Sequence, residues 1–261
     1  MFNYNLFLKL QSSKSNSKIH QESFIKNEIA QRLLNRLEFI KLEPRDILVD
    51  GYIDAQYQNV LSQRFNKSKI HKQPQLNTRF DLIISNSTIH LTDNVANKLK
   101  CYYELLNNNG VLLFSTFGDK SFSSFNKAFA NVDNLKHTNT MIDMLTWGNT
   151  LLASKYKTPA IESDLITFTY KSTQTLFSDI RSLNEPLADT KMRTTFTGKK
   201  RWQEFIDQFS KNLQLEIEAL YGYAIRKADN NNITPRPNPN RISLEDLKKQ
   251  IIEFKSFTSN T

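Results

Sequence analysis

Two short polar stretches carry the side chains best suited to chemistry, and each follows an apolar run. They are Asp50 and Gly51 after Ile47-Leu48-Val49, and Ser85, Asn86 and His90 after Phe80-Asp81-Leu82-Ile83-Ile84. A glycine lets the backbone approach a ligand closely and adopt a positive φ. The second stretch is equally typical of a helix cap or a closed turn. Each stretch is therefore consistent either with a ligand-binding site at the end of a strand or with an ordinary turn between a strand and a helix.

Two further side chains are candidates for contact with a substrate. Arg181 offers a guanidinium that can bind a carboxylate with two parallel hydrogen bonds, although a solvated surface arginine is the simpler explanation. His137 is a second candidate, and a structural histidine is its alternative. No zinc-ligand spacing occurs, so the sequence predicts no metal site.

The charge of the chain suggests an acidic partner. Its formal net charge is +9, which fits nucleic acid, an anionic membrane or an acidic protein. There is no Arg/Gly tract and no aromatic RNA signature, so nucleic acid is the weakest of these. A solvated basic face remains the alternative. The basic residues are dispersed except for one cluster, consisting of Lys191, Arg193, Lys199, Lys200 and Arg201.

The length and the cysteine content limit the class of protein. The 261 residues suffice for one sizeable domain with additions. No run of about 18 apolar residues occurs, which argues against a transmembrane helix. The single cysteine, Cys101, excludes an internal disulfide and fits a reducing cytoplasm; its helical setting predicts a core thiol.

The elements that must position these residues follow a strand–helix–strand order. A helical pattern covers residues 23–40, and apolar runs predict strands at 46–50, 80–85 and 111–116. The runs do not alternate with polar residues, which indicates a parallel sheet covered on both faces. Asn107 to Gly110 predicts a turn between a helix and the third of these strands.

The second half predicts more helices and two more strands. Helical segments are expected at 121–130, 140–153, 173–183 and 200–211, and strands near 161–169 and 215–226. Residues 230–240 are rich in Pro and Asn, which predicts a linker. Ser243 then caps a last amphipathic helix, whose apolar face we expect to dock on this or another chain.

Several motifs, in this order, resemble one family of enzymes. They are NEIAQRLLNRL, FDLIISNSTIHLTDN, LLNNNGVLLFSTFGDKSF, HTNTMIDM, ITFTYKSTQTLFSDIRSL, TGKKRW and YGYAIRK. From about Ser23 to Lys227 the chain resembles class I S-adenosylmethionine methyltransferases. More narrowly, it resembles the malonyl-acyl carrier protein O-methyltransferases of biotin synthesis.

The resemblance implies a Rossmann-like fold and a methyl transfer to the malonyl carboxylate. It implies S-adenosylmethionine as cofactor, bound near Asp50, Gly51, Ser85, Asn86 and His90. It also implies that His137 and Arg181 lie near the substrate. Acyl carrier protein would be the partner, and it would meet the basic cluster on a lid-like insertion at about 171–212. Catalysis would consist mainly of alignment, because the sulfonium methyl is already activated.

The cofactor motif departs from the family pattern. The family has an acid at the strand end and three glycines after it, whereas here Val49 takes the acidic position and Gly51, Ile53 and Ala55 take the others. Asp50 or Asp54 is a substitute in a different register. Between Phe65 and Phe80 there is no room for the family's second strand, the next helix and the third strand. We expect a deletion of roughly 25–30 residues and a truncated sheet.

Three hypotheses follow. The chain is a working methyltransferase, or a pseudoenzyme that keeps the fold and binds a protein, or, most remotely, a nucleic-acid-binding protein. We expect an arm at 1–22, a methyltransferase-like domain at 23–229, a linker at 230–240 and an extra C-terminal helix at 241–261. We expect a cytoplasmic protein without a membrane partner.

Overall fold

The computed structural model describes residues 2–14, 23–75, 78–189, 192 and 195–229. The chain divides into two units, residues 1–227 and 228–261. The predicted linker and C-terminal helix belong to the second unit and lie outside the described residues. So does part of the predicted arm, residues 15–22, whereas Tyr4–Lys14 of that arm forms helix α1.

The elements alternate as the sequence predicts. The helices after α1 are α2 (Phe24–Leu37), α3 (Ala55–Arg64), α4 (Val95–Leu105), α5 (Ser123–Ala130), α6 (Met144–Ala153), α7 (Thr173–Ser182) and α8 (Lys199–Phe209). The strands are β1 (Asp46–Gly51), β2 (Lys69–His71), β3 (Phe80–Asn86), β4 (Leu106–Phe117), β5 (Lys157–Thr169) and β6 (Gln214–Ile225).

One six-stranded sheet organises the first unit, with strand order β2-β1-β3-β4-β6-β5. The pairs β2–β1, β1–β3 and β3–β4 are parallel, while β6 runs antiparallel to both β4 and β5. The central strands are apolar runs because helices cover both faces. The fold is Rossmann-like, of the class I methyltransferase type, and the predicted parallel neighbours are confirmed.

The connector between Phe65 and Phe80 differs from the prediction in one respect. The three-residue strand β2 occupies part of it and pairs with β1 from Asp46↔Lys69 to Leu48↔His71. The expectation that no strand fits there is therefore wrong. The sheet is nevertheless truncated, because no helix and no second strand accompany β2 among the described residues of the connector.

Three local predictions are corrected. Asn107 to Gly110 is not a separate turn, because β4 already begins at Leu106; Asn109 keeps the positive φ, 62°, that suggested a turn. β5 begins before Pro159, which an edge strand tolerates because its outer backbone groups are unpaired. Cys101 is exposed rather than a core thiol.

Candidate functional site

Four of the predicted ligand-binding residues meet at the carboxyl ends of neighbouring parallel strands. Asp50 of β1 is in register with Ser85 of β3, and Gly51 is in register with Asn86. Ligands of open α/β sheets bind at this edge. The four residues thus share the edge of the sheet at which such ligands bind, and the contacts there decide what this edge can bind.

Side chains of helix α4 bind the carboxylate of Asp50. Lys98 Nζ lies 2.9 Å from Asp50 Oδ2, and the Tyr102 hydroxyl donates a hydrogen bond to the same oxygen. Tyr102 Oη also lies 3.1 Å from Ser85 Oγ. Burial, together with the charge of Asp50, raises the pKa of Tyr102 well above its ordinary value, so the phenol stays protonated. The Asp50 carboxylate is thus bound by partners within the chain.

Gly51 is required by the packing of the chain itself. Its φ is +102°, and a Cβ added there would lie 2.3 Å from the Asn86 carbonyl oxygen and 2.8 Å from Thr88 Cγ2. The neighbouring amide of Tyr52 donates to the same Asn86 oxygen at 3.1 Å. The glycine is therefore explained without any ligand.

The other two glycine positions of the family motif are used to start a helix. Ile53 is half-buried against the core, and Ala55 is the first residue of α3. Asp54 caps this helix, since its Oδ1 accepts from the Tyr57 amide at 2.6 Å. Asp54 is therefore engaged as a cap and is not a free substitute for the missing acid.

Asn86 is the centre of a buried polar network that the chain satisfies internally. Its Nδ2 donates to the Tyr52 carbonyl at 2.7 Å, and its Oδ1 accepts from Ser115 Oγ at 2.8 Å. The Ser87 amide in turn donates to Ser115 Oγ at 3.0 Å. Sequence analysis missed Ser87 and Ser115; the latter's position near the end of a strand was the available signal.

His90 belongs to an ion triad, defined here as Lys26, His90 and Glu185. Glu185 Oε1 lies 2.8 Å from Lys26 Nζ, and Glu185 Oε2 lies 3.1 Å from His90 Nε2. All three side chains are at most 10% exposed. Burial alone would raise the pKa of Glu185, but Lys26 and His90 outweigh burial and lower it to about 2. Lys26 and Glu185 were not predicted, because they come from distant segments.

The second nitrogen of His90 has a different environment. His90 Nδ1 is buried and has no hydrogen-bond partner among the described residues, while the ring packs edge-on against Phe117 at 5.4 Å. A buried polar atom without a partner costs free energy relative to the same atom in water.

Two cavities lie beside the triad. The first has a volume of about 240 Å³ and is lined by Lys26, Gly51, Tyr52, Ser87 and Thr88, among others. The second, of about 80 Å³, is lined by Phe122, Phe125, His137 and Glu185, among others. His137 also lines an open cleft of about 520 Å³.

The two predicted substrate-binding residues, His137 and Arg181, have no described contact with each other. His137 Nε2 lies 2.8 Å from Asp133 Oδ1, and the imidazole stacks on Phe129 with ring centroids 3.6 Å apart. His137 thus combines a structural contact with a position on the cleft. Arg181, on α7, is exposed to solvent.

The basic cluster is exposed where the structure describes it. Lys199, Lys200 and Arg201 form the first turn of α8, and that turn contains no acidic residue. Phe196, close to them in sequence, is 99% exposed. Lys191 and Arg193 lie outside the described residues.

The edge of the sheet does not fit S-adenosylmethionine in this arrangement. The first cavity is smaller than the roughly 300–1,000 Å³ of typical ligand sites. Strand β2 ends in His71, whose Nε2 lies 2.8 Å from Asp46 Oδ1, where the family has an acid for the ribose. Asp50 is bound by Lys98 and Tyr102, and Asp54 caps α3.

The described part of the chain lacks both a metal site and a membrane-spanning helix. It contains no group of three or more His, Cys, Asp or Glu side chains placed to hold a metal ion. None of its helices has the length and apolarity needed to cross a bilayer.

Comparison with known proteins gives one consistent family. No protein-family profile matches the chain. The chain is 24% identical over 240 residues to the malonyl-acyl carrier protein O-methyltransferase of Legionella pneumophila, covering 78% of this chain and 84% of that one. Identity to the enzyme of the same name from Nitrosospira multiformis is 23% over 277 residues, covering 86% and 90%.

Other similarities are weaker. An arginine-hydroxylase, NDUFAF5, of Dictyostelium discoideum is 27% identical over 159 residues, covering 59% of this chain and 34% of that protein. Among solved structures, YcgJ of Bacillus subtilis superimposes with a TM-score of 0.49 and 10% identity, covering 78% of this chain and 100% of that one. Over most of its length the chain is thus similar, at 21–24% identity, to several malonyl-acyl carrier protein O-methyltransferases, of which it is a divergent relative.

Proposed function

We propose that this protein is a methyltransferase-fold pseudoenzyme that binds an acidic acyl carrier protein. The observation that carries the proposal is the first turn of α8. Lys199, Lys200 and Arg201 lie there, exposed and without an acidic residue in the same turn. Each cation at a helix N-terminus destabilises the helix by about 0.3–1 kcal/mol, because it is repelled by the positive end of the helix dipole. Their position is therefore explained better by a partner than by helix stability.

The kind of partner is inferred from the relatives. Several are named malonyl-acyl carrier protein O-methyltransferases, and acyl carrier proteins are strongly acidic. A basic rim would speed association and orient the carrier so that its acyl arm meets the cleft beside His137. The lid-like insertion at about 171–212 would then be the docking element.

The absence of methyl transfer is the second part of the proposal. It is supported by the poor fit of the sheet edge to S-adenosylmethionine and by the engagement of Asp50 with Lys98 and Tyr102. The pathway role of the protein would be to hold or present the carrier.

An active malonyl-acyl carrier protein O-methyltransferase is the second candidate. One observation favours it: cavities lie at both positions that methyl transfer needs, one beside Gly51 and one beside His137. They are separated in this arrangement, and their union would be required before a donor and an acceptor could meet.

Titration with malonylated acyl carrier protein at low and high salt tests the proposal. We expect binding that weakens with salt, and a loss of at least tenfold in affinity for K199E/K200E/R201E. A matched control is K67E/K72E/K100E, which makes the same charge change at exposed positions away from α8. If the two triple variants bind equally well, or the parent does not bind at low salt, the cluster is a solvated face and the proposal is wrong.

A further inference from the structure

Residues 182–187, called the partition here, lie between the two cavities beside the ion triad. Some of these residues line one cavity and some line the other. Ser182 and Asn184 line the cavity beside Gly51, Glu185 and Leu187 line the cavity beside His137, and Leu183 lines both. Displacement of this one segment would therefore remove what separates the cavities.

One charged residue, Glu185, anchors the partition, and the partition's other described polar contacts are neutral. Glu185 is bound by Lys26 of α2 at 2.8 Å and by His90 at 3.1 Å. Apart from bonds to α7 itself, the described neutral bonds are a hydroxyl pair, Ser182 to Ser23 at 3.1 Å, and side-chain amide donors to the carbonyls of Asn184 and Pro186 at 3.3 and 3.1 Å. Charge-assisted hydrogen bonds are roughly twice as strong as neutral ones, so the triad is the strongest polar attachment of the partition.

The closed arrangement also carries a cost. His90 Nδ1 is buried without a hydrogen-bond partner among the described residues, which costs free energy while His90 is held in this position. Asn184 adopts a positive φ of 51° at the end of α7, which marks a residue that can absorb a change of chain direction. A segment that is held by strong ion pairs but also contains a destabilising feature is expected to exchange between two arrangements.

We propose that the partition is a movable gate, latched by the Lys26–Glu185–His90 triad, and that opening it joins the two cavities into one cleft from Gly51 to His137. The cleft then takes an elongated acyl arm that enters from the His137 side and reaches the Gly51 turn. The identity of that ligand rests on the proposed function, whereas the motion does not.

Hydrogen exchange of the full chain, without any ligand, tests the gate. The amides of Leu183, Asn184 and Ala188 are hydrogen-bonded and report on the segment. In Glu185→Gln, which keeps the shape but removes the charge, we expect their exchange to rise at least tenfold while β3 and β4 remain protected. Glu216→Gln is the matched control, because the Glu216 carboxylate accepts from Ser124 and has no described hydrogen bond to the partition.

Two results would overturn the gate: unchanged exchange at the partition, or a uniform rise that includes β3 and β4. If Glu185→Gln does not fold, K26Q/E185Q replaces it, since this double variant leaves no unpaired charge in the Lys26–Glu185 pair and the same comparison applies. The titration with acyl carrier protein tests the proposed function and not the gate. Failure of the parent to bind the carrier refutes the proposed function, and the exchange result still decides the gate.

Discussion

Replacing Gly51 by alanine should destabilise the fold even when no ligand is present. Gly51 has a φ of +102°, far from the conformations that residues with a Cβ adopt readily. The new Cβ would also lie 2.3 Å from the Asn86 carbonyl oxygen, which belongs to the buried polar network. In an enzyme that keeps this glycine only for its cofactor, the loss would instead appear in binding.

The expected magnitude has two parts. A backbone held in such a sparsely populated region costs on the order of 1–3 kcal/mol. Overpacking against fixed neighbours adds roughly 1–3 kcal/mol. The Asn86 carbonyl is backbone of β3 and cannot rotate away, so we expect a total loss of about 3–4 kcal/mol in the free energy of unfolding.

Urea unfolding followed by circular dichroism measures this loss, and Gly148→Ala is the control. Gly148 lies within α6, and a Cβ there meets nothing within 4 Å. That substitution should stabilise the protein by roughly 0.5–1 kcal/mol, because alanine is the better helix former. A Gly51→Ala loss below about 1 kcal/mol would refute the packing explanation and return the glycine to a ligand-binding role.

Three more predictions concern charged and polar contacts. The folded pKa of Glu185 lies at about 2 against an ordinary 4.5, so its contribution is complete above pH 4.5 and is lost as the pH falls towards 2. In acid titrations of stability the parent should lose about 3 kcal/mol over this window, and Glu185→Gln should not show this loss. Tyr102→Phe removes the hydroxyl that Asp50 accepts from, and thermal unfolding should reveal a loss of about 1–2 kcal/mol. K199E/K200E/R201E should leave the unfolding free energy unchanged within about 0.5 kcal/mol; a larger loss in urea would mean that these exposed residues support the fold.

The strands were predictable because burial on both faces makes them contiguous apolar runs. The signal lies in the apolar runs Leu82 to Ile84 and Val111 to Phe114, and the parallel arrangement follows from the helix between them. Asn107 to Gly110 was misinterpreted, since the same residues that favour a turn also tolerate an irregular start to a strand.

The contacts at the site were much harder to predict. The triad joins Lys26, His90 and Glu185, which are far apart in sequence and lie in no common motif. The pairing of Asp50 with Lys98 has the same character, because only the sheet brings the end of β1 beside α4. Sequence analysis could therefore locate the edge and its missing glycines, but not the side chains that occupy it.

Calorimetric titration of the parent protein with S-adenosylmethionine, with and without malonylated carrier, tests the central claim most directly. The engagement of Asp50 and the small cavity beside Gly51 predict no saturable heat with S-adenosylmethionine, and salt-sensitive binding of the carrier. A micromolar dissociation constant for S-adenosylmethionine, which corresponds to about 8 kcal/mol of binding free energy, would contradict the account and establish the chain as a cofactor-binding methyltransferase.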